Sequence, residues 1–225
     1  MSFLSLKILQ ILRIITPTLF YSMKIVNVMP LFPSTTIVGN LDLDHDKITK
    51  RIAKEFLREG NWHDEDPFNK TQPYLHKDPK YKKLSDELLL FVNHVCSDVL
   101  SFENVNPEIS LMWGTATPKK GSVHRHYHPN SILSGVYYPQ NIEYTPIRFF
   151  SPHRPTILPK IVSKNVYSSE TMEYQPQQGD VVLFRSDLDH DVPINTFNDT
   201  RYSVAFNIFF RGEMGHEETL SNVTL

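Results

Sequence analysis

Cysteine is nearly missing. Cys96 is the sole thiol in 225 residues, so an intramolecular disulfide cannot form and no cluster of thiolates can hold a metal. That usage fits a reducing cytoplasm, and Cys96, set among apolar neighbours, reads as a buried, inert thiol. Long apolar runs are missing too. The segment 1–22 is apolar but is interrupted by Lys7, Arg13 and Pro17, and no run approaches the roughly 18 residues of a spanning helix. The same interruptions spoil a secretory leader, and no small-x-small cleavage site follows. Met23 is expected to begin the functional protein, with 1–22 an appended leader. Charge of one sign is lacking as well. The 23 basic and 25 acidic residues leave −2, so no global field would draw in nucleic acid or an anionic membrane.

What is present is a core-forming composition. Apolar residues make up 40% and aromatics 12%, with sixteen prolines, a balance that favours short strands and many turns over a helical bundle. A helix is expected over Asp44–Glu59, with Ile48, Ile52, Phe56 and Leu57 on one face and Gly60 ending it. The stretch from Asn61 to Lys82 reads as an ordered polar loop. Ser85 is placed to cap a second helix with an apolar stripe of Leu88, Leu89, Val92, Val95, Cys96 and Val99. From about Glu108 the pattern changes to short β-rich runs: Ile109–Trp113, Ile132–Tyr138, Ile147–Phe150, Asp180–Phe184 and Tyr202–Phe210. Strands with irregular loops, preceded by helices, point to a sandwich or jelly roll with helices on one outer face.

Three segments carry chemistry. In His124-Arg125-His126-Tyr127-His128, strand alternation would put three imidazoles on one face, a natural shell for a divalent transition metal. His190 follows the apolar run Gly179–Phe184 and stands between Asp189 and Asp191, at a barrel rim where it suits a third ligand. It could equally be a surface histidine. In Arg201–Phe210, Val204, Phe206, Ile208 and Phe210 share one face while Arg201, Ser203, Ala205 and Asn207 share the other. A solvent salt bridge is the plain reading of Arg201; the sharper one is a carboxylate site, which suits a guanidinium fork.

His-x-His, a downstream His and an Arg-x-Ser eleven residues later resemble the iron(II)/2-oxoglutarate dioxygenase superfamily. More narrowly, His126 to Tyr138 is similar to the signature of a small family of 2-oxoglutarate/iron(II) oxygenases common in phages. Leu31-Phe32-Pro33, Arg148–Arg154, Gly179–Phe184 with Leu188-Asp189-His190, and Arg201–Asn207 match its other landmarks. The resemblance implies a mainly β fold with flanking α-helices, a double-stranded β-helix of the jelly-roll, cupin-like kind. It would have a helical elaboration over 23–107, a catalytic core over 108–212 and a tail over 213–225. It also implies Fe(II) held by His126, His128 and His190, 2-oxoglutarate as co-substrate with its distal carboxylate on Arg201 and Ser203, and O2. An unidentified primary substrate would be hydroxylated as 2-oxoglutarate is decarboxylated to succinate. Asn130, Tyr137, Tyr138, Trp113 and Arg148 are candidate pocket residues. One departure stands out: His128 occupies the position where most of the superfamily has a carboxylate. His124 with His126, or Asp189 as a carboxylate ligand, are the other triads the residues allow. The rivals are a cupin-like metalloenzyme of another class, which leaves Arg201-x-Ser203 unexplained, and a non-enzymatic jelly-roll binding protein.

Overall fold

Alternating apolar and polar residues dominate the chain from residue 105 onward, and there the computed structural model builds two antiparallel sheets. It describes residues 33–58, 69–141, 145–153, 159–163, 165–215 and 220–225, and also 27, 29, 157 and 218. All elements below lie in one compact unit, Ser34–Leu225; in the unit Met1–Pro33 the described residues 27, 29 and 33 are exposed. The expected Met23 start and most of Leu31-Phe32-Pro33 fall outside the described residues. Among the described residues no helix is long and apolar enough to cross a membrane.

The elements in chain order are β1 (Thr36–Asn40), α1 (His45–Phe56), β2 (Asn69–Lys70), α2 (Lys82–His94), β3 (Val105–Thr117), β4 (Val123–His126), β5 (Leu133–Tyr137) and β6 (Ile147–Phe150). They continue with β7 (Thr171–Tyr174), β8 (Asp180–Arg185), β9 (His190–Val192), β10 (Arg201–Met214) and β11 (Val223–Thr224). The larger sheet runs β1-β8-β5-β10-β3-β2, with β11 on the end of β10; the smaller runs β4-β9-β6-β7. From β3 to β10 the chain crosses between the sheets at every step except β6 to β7, which pair within the smaller sheet, and this is the winding of a jelly roll. The 23–107 segment supplies helices and also two strands of the larger sheet, β1 against β8 and β2 against β3.

Period-two alternation sorts the larger sheet into two faces. Val181, Leu183, Tyr137, Val204, Phe206 and Ile208 face the helices and join Ile48, Ile52, Leu88 and Val92 in the main core. Val182, Phe184 and Tyr138 face the smaller sheet and pack on Ile147 and Phe149. The register shift between Asn207 and Ile208 leaves Ser110 as an extra residue in β3. This bulge lets Ile109 and Met112, three apart, both reach the helix-side core. Close approach decides Gly135. A Cβ there would meet the Phe206 ring at 2.3 Å.

Both helices differ in detail from expectation. In α1, Asp44 caps the N-terminus by accepting from the Lys47 amide at 3.0 Å, and Ile48, Ile52 and Phe56 are buried. The helix ends at Phe56, and Leu57, assigned to its apolar face, is 86% exposed. Ser85 does not cap α2. The helix grows three residues earlier from a 3₁₀ turn at Pro79–Tyr81, itself capped by Asp78 on the Lys80 amide. Ser85 lies inside and donates to the Tyr81 carbonyl at 3.1 Å. The span from Asn61 to Lys82, read as a loop, contains β2 and two 3₁₀ turns in its described part. A π-helical turn, Val95–Val99, extends α2 and swings Val99 off the apolar stripe, leaving it 52% exposed.

Candidate metal centre

Two neighbouring strands of the smaller sheet bring the histidines together. His126 at the end of β4 pairs directly with His190 at the start of β9. His128 lies two residues beyond β4, anchored by its amide donating to the Ser186 carbonyl at 2.8 Å. One ligating nitrogen from each of His126, His128 and His190 lies within 4.8 Å of the other two. A metal about 2.1 Å from each nitrogen places neighbouring octahedral donors about 3.0 Å apart. The Nε2 atoms of His128 and His190 stand 3.3 Å apart. His124 is exposed and outside this group, its ring 5.7 Å from that of His126. Asp189 is outside it too, bound by Arg125 through Nε at 2.9 Å.

The ring nitrogens are prepared for this task. His126 Nδ1 meets the His124 carbonyl at 2.8 Å, and His190 Nδ1 meets the Leu188 carbonyl at 3.0 Å. Each carbonyl accepts only from an N–H, so Nδ1 carries the proton and Nε2 is left bare. Burial then holds all three rings neutral at pH 7. It lowers His126, takes His128 down to about 3 with help from its two histidine neighbours, and takes His190 down to about 4 with help from His126. His128 Nε2 faces the bare Nε2 of His190 at 3.3 Å, and in the tautomer with its proton on Nδ1 it offers a cation a second lone pair. The donor set therefore fits a divalent metal.

Beside the triad lies a cavity of about 220 Å³, walled by Trp113, Val136, Ile147 and Val192. Arg201, Ser203 and Ala205 of β10 line it, as alternation along that strand requires. Arg201 is 4% exposed, and among the described residues no carboxylate pairs with it. Its guanidinium lies 5.1 Å from the centre of the Tyr138 ring, and burial lowers its pKa. The Tyr138 hydroxyl lies beside the guanidinium, and the hydroxyl of Thr117, the residue opposite Arg201 in the β3–β10 ladder, is buried without a hydrogen-bond partner among the described residues. Buried donors around an unpaired cation describe a site shaped for an anion.

Of the remaining candidates, Trp113 and Tyr138 line the cavity while Asn130, Tyr137 and Arg148 do not. Tyr137 alternates with its two cavity-facing neighbours and so points into the helix-side core, its hydroxyl 2.6 Å from His45 Nδ1. Asn130 sits exposed in a turn at φ 59°. Arg148 instead clamps Asp191 with two bonds, of 2.6 and 2.9 Å. Sequence reading missed Thr115, whose hydroxyl lies 2.6 Å from that of Ser203, and Lys70. Alternation from Trp113 would have found Thr115. Nothing local marks Lys70, which reaches the cavity only because β2 pairs with β3.

Residues 111–207 match the family model described as "Putative 2OG-Fe(II) oxygenase". This stretch is a 2OG-Fe(II) oxygenase domain. Solved structures share the fold. A 2OG-Fe(II) oxygenase family oxidoreductase from Burkholderia pseudomallei is 14% identical, with TM-score 0.54 over 77% of this chain and 83% of that one. HygX from Streptomyces hygroscopicus, solved with nickel, 2-oxoglutarate and hygromycin B, is 14% identical, with TM-score 0.55 over 78% and 82%. A Pseudomonas putida prolyl-4-hydroxylase is 12% identical, with TM-score 0.55 over 80% and 94%. None of the curated proteins matches the sequence. In the 2OG-Fe(II) oxygenase domain, the imidazole triad can hold the iron.

Proposed function

We propose that the chain is an iron(II)- and 2-oxoglutarate-dependent oxygenase that converts 2-oxoglutarate to succinate and CO2 while hydroxylating a second substrate. The observation that carries this reading is Arg201, a buried cation without a carboxylate partner among the described residues, in the same cavity as three convergent imidazole nitrogens. A cupin-like enzyme of another class needs the triad but has no use for that arginine. When bound, iron(II) with 2-oxoglutarate and O2 supplies the oxidising power for attack on a C–H bond.

The chain's own residues do the rest. His126, His128 and His190 hold the metal through neutral nitrogens, and the carbonyls of His124 and Leu188 fix two of the rings. Arg201 receives the distal carboxylate of 2-oxoglutarate. The Ser203–Thr115 pair leaves a proton to donate: when Thr115 donates to Ser203 Oγ, the Ser203 hydrogen is available to that carboxylate. Trp113, Val136, Ile147 and Val192 keep bulk water away from the reacting centre. The single buried cysteine supports a reducing, cytoplasmic setting.

The test is anaerobic addition of iron(II) and then 2-oxoglutarate. A visible charge-transfer band is expected, followed by succinate release once O2 is admitted. A protein that binds iron(II) but forms no band and no succinate would return the case to the cupin-like rival.

A further inference from the structure

A metal is bound tightly when its ligands are already held at the right spacing before it arrives. His190 lies in β9, with β4 on one side and β6 on the other. His126 belongs to β4, at the end of the smaller sheet, and the His124 carbonyl ties its ring to that same strand. The spacing of these two ligands is therefore set by how β4 lies against β9. The backbone ladder gives limited help. It pairs Val123 with Val192 and His126 with His190, and its register shifts between them.

Arg125 stands at that break. Its guanidinium crosses to β9 and donates to Asp189 Oδ2 through Nε at 2.9 Å and through a terminal nitrogen. The same guanidinium lies 4.1 Å from the centre of the Phe150 ring in β6. The Phe150 amide in turn donates to the Asp189 carbonyl at 2.9 Å, so one side chain of β4 reaches both β9 and β6. Each end of this clamp is joined covalently to a ligand, Arg125 to His126 and Asp189 to His190. On the other flank of His190, Asp191 is held by Arg148 of β6. That second pair joins β9 to β6; only the Arg125 pair ties in the strand that carries His126.

We propose that Arg125 is a positioning residue for the metal. Through Asp189 and Phe150 it holds β4 at the spacing that lets His126 and His190 share one ion. This rests on the metal centre of the oxygenase reading and adds to it a residue that does not line the cavity. The sign of the effect separates a clamp from a field. A guanidinium near a divalent cation repels it, so if charge alone mattered, removing Arg125 would tighten metal binding. Removing a clamp weakens it.

The experiment titrates nickel(II), and iron(II) without oxygen, into the full chain and its variants by calorimetry. Arg125→Ala should weaken both metals roughly three- to tenfold, and Arg125→Lys should recover part of the loss. Asp189→Asn should weaken them to a similar degree. The double variant should be no weaker than either single one, because the same clamp is lost only once. Arg211→Ala opens another cross-strand pair, with Glu108, and should leave metal affinity unchanged. The metal-free Tm of Arg125→Ala should fall by no more than about 4 °C. Unchanged or tighter metal binding in Arg125→Ala overturns the proposal, and so does a double variant that returns to the parent affinity, the mark of two opposing fields. An equal loss in Arg211→Ala, or a large fall in the metal-free Tm of Arg125→Ala, would make the effect a general one and overturn it too. All of these leave the oxygenase reading intact. Failure of the parent to bind either metal removes that reading and this proposal with it.

Discussion

Replacing Arg201 should divide stability from function. Its guanidinium is 4% exposed and no carboxylate neutralises it among the described residues. Burying an uncompensated cation costs several kcal/mol, and the contact with the Tyr138 ring returns only about 1–2 kcal/mol. In the cofactor-free protein Arg201→Met should therefore hold or gain about 1–2 kcal/mol, a Tm rise of roughly 2–8 °C for a chain this size. Affinity for 2-oxoglutarate should move the other way. Losing a charge-assisted bidentate contact costs about 2–4 kcal/mol, a weakening of roughly 30- to 1000-fold. Arg201→Lys should recover only part of that, because an ammonium cannot reproduce the planar fork. Differential scanning fluorimetry without ligand, iron(II) titration and 2-oxoglutarate titration separate the three quantities. Iron(II) affinity should stay within a few-fold. A large fall in ligand-free Tm together with unchanged 2-oxoglutarate affinity would show that Arg201 is a structural residue and refute the argument.

Four further outcomes follow from the geometry. Gly135→Ala drives a methyl into the Phe206 ring, 2.3 Å from the new Cβ, and should cost about 1–3 kcal/mol, read as a lower denaturant midpoint. Tyr137→Phe removes the hydroxyl beside His45 and should cost about 1 kcal/mol without changing iron(II) or 2-oxoglutarate affinity; a loss of either would put Tyr137 back in the pocket. Arg148→Ala strands the buried Asp191, whereas the Arg185–Asp187 pair is 69% and 65% exposed; chemical denaturation should show a clear loss for the first and less than about 1 kcal/mol for Arg185→Ala. Excess iron(II) or nickel(II) should raise the Tm of the parent by mass action, and His190→Ala, which removes a 4%-exposed ligand, should abolish the rise.

Alternation did most of the work of reading this fold from sequence. Along β10 it separated Val204, Phe206 and Ile208 from Arg201, Ser203 and Ala205, and the structure puts the first group against the helices and the second in the cavity. The same rule, applied from Trp113, also holds for Thr115. It failed where pairing depends on distant residues. β1 and the two-residue β2 carry little pattern of their own and exist because β8 and β3 offer edges. Lys70 was invisible for that reason. Ser85 was misread because its capping chemistry is local, while the helix start is set by the preceding Pro79–Tyr81 turn. For Arg148, Tyr137 and Asn130, residue type suggested a pocket and the direction of each side chain decided otherwise.

The order of the smaller sheet puts His126 on an edge strand. β4 is four residues long, pairs among the described residues with β9 alone, and has an irregular register between Val123 and His126. Edge segments with few ladder bonds open at far lower free energy than the interior of a sheet. His190, one strand inward, is held between β4 and β6. Fraying of β4 would withdraw one ligand and leave two, without disturbing the β8-β5-β10-β3 core. Metal release in the native protein is then a matter of local breathing, with its own clock. Amide protons of β4 should exchange with solvent much sooner than those of β5 and β8, and metal dissociation should keep pace with the former. A core lesion such as Gly135→Ala would lower the melting temperature while leaving the metal's residence time nearly unchanged.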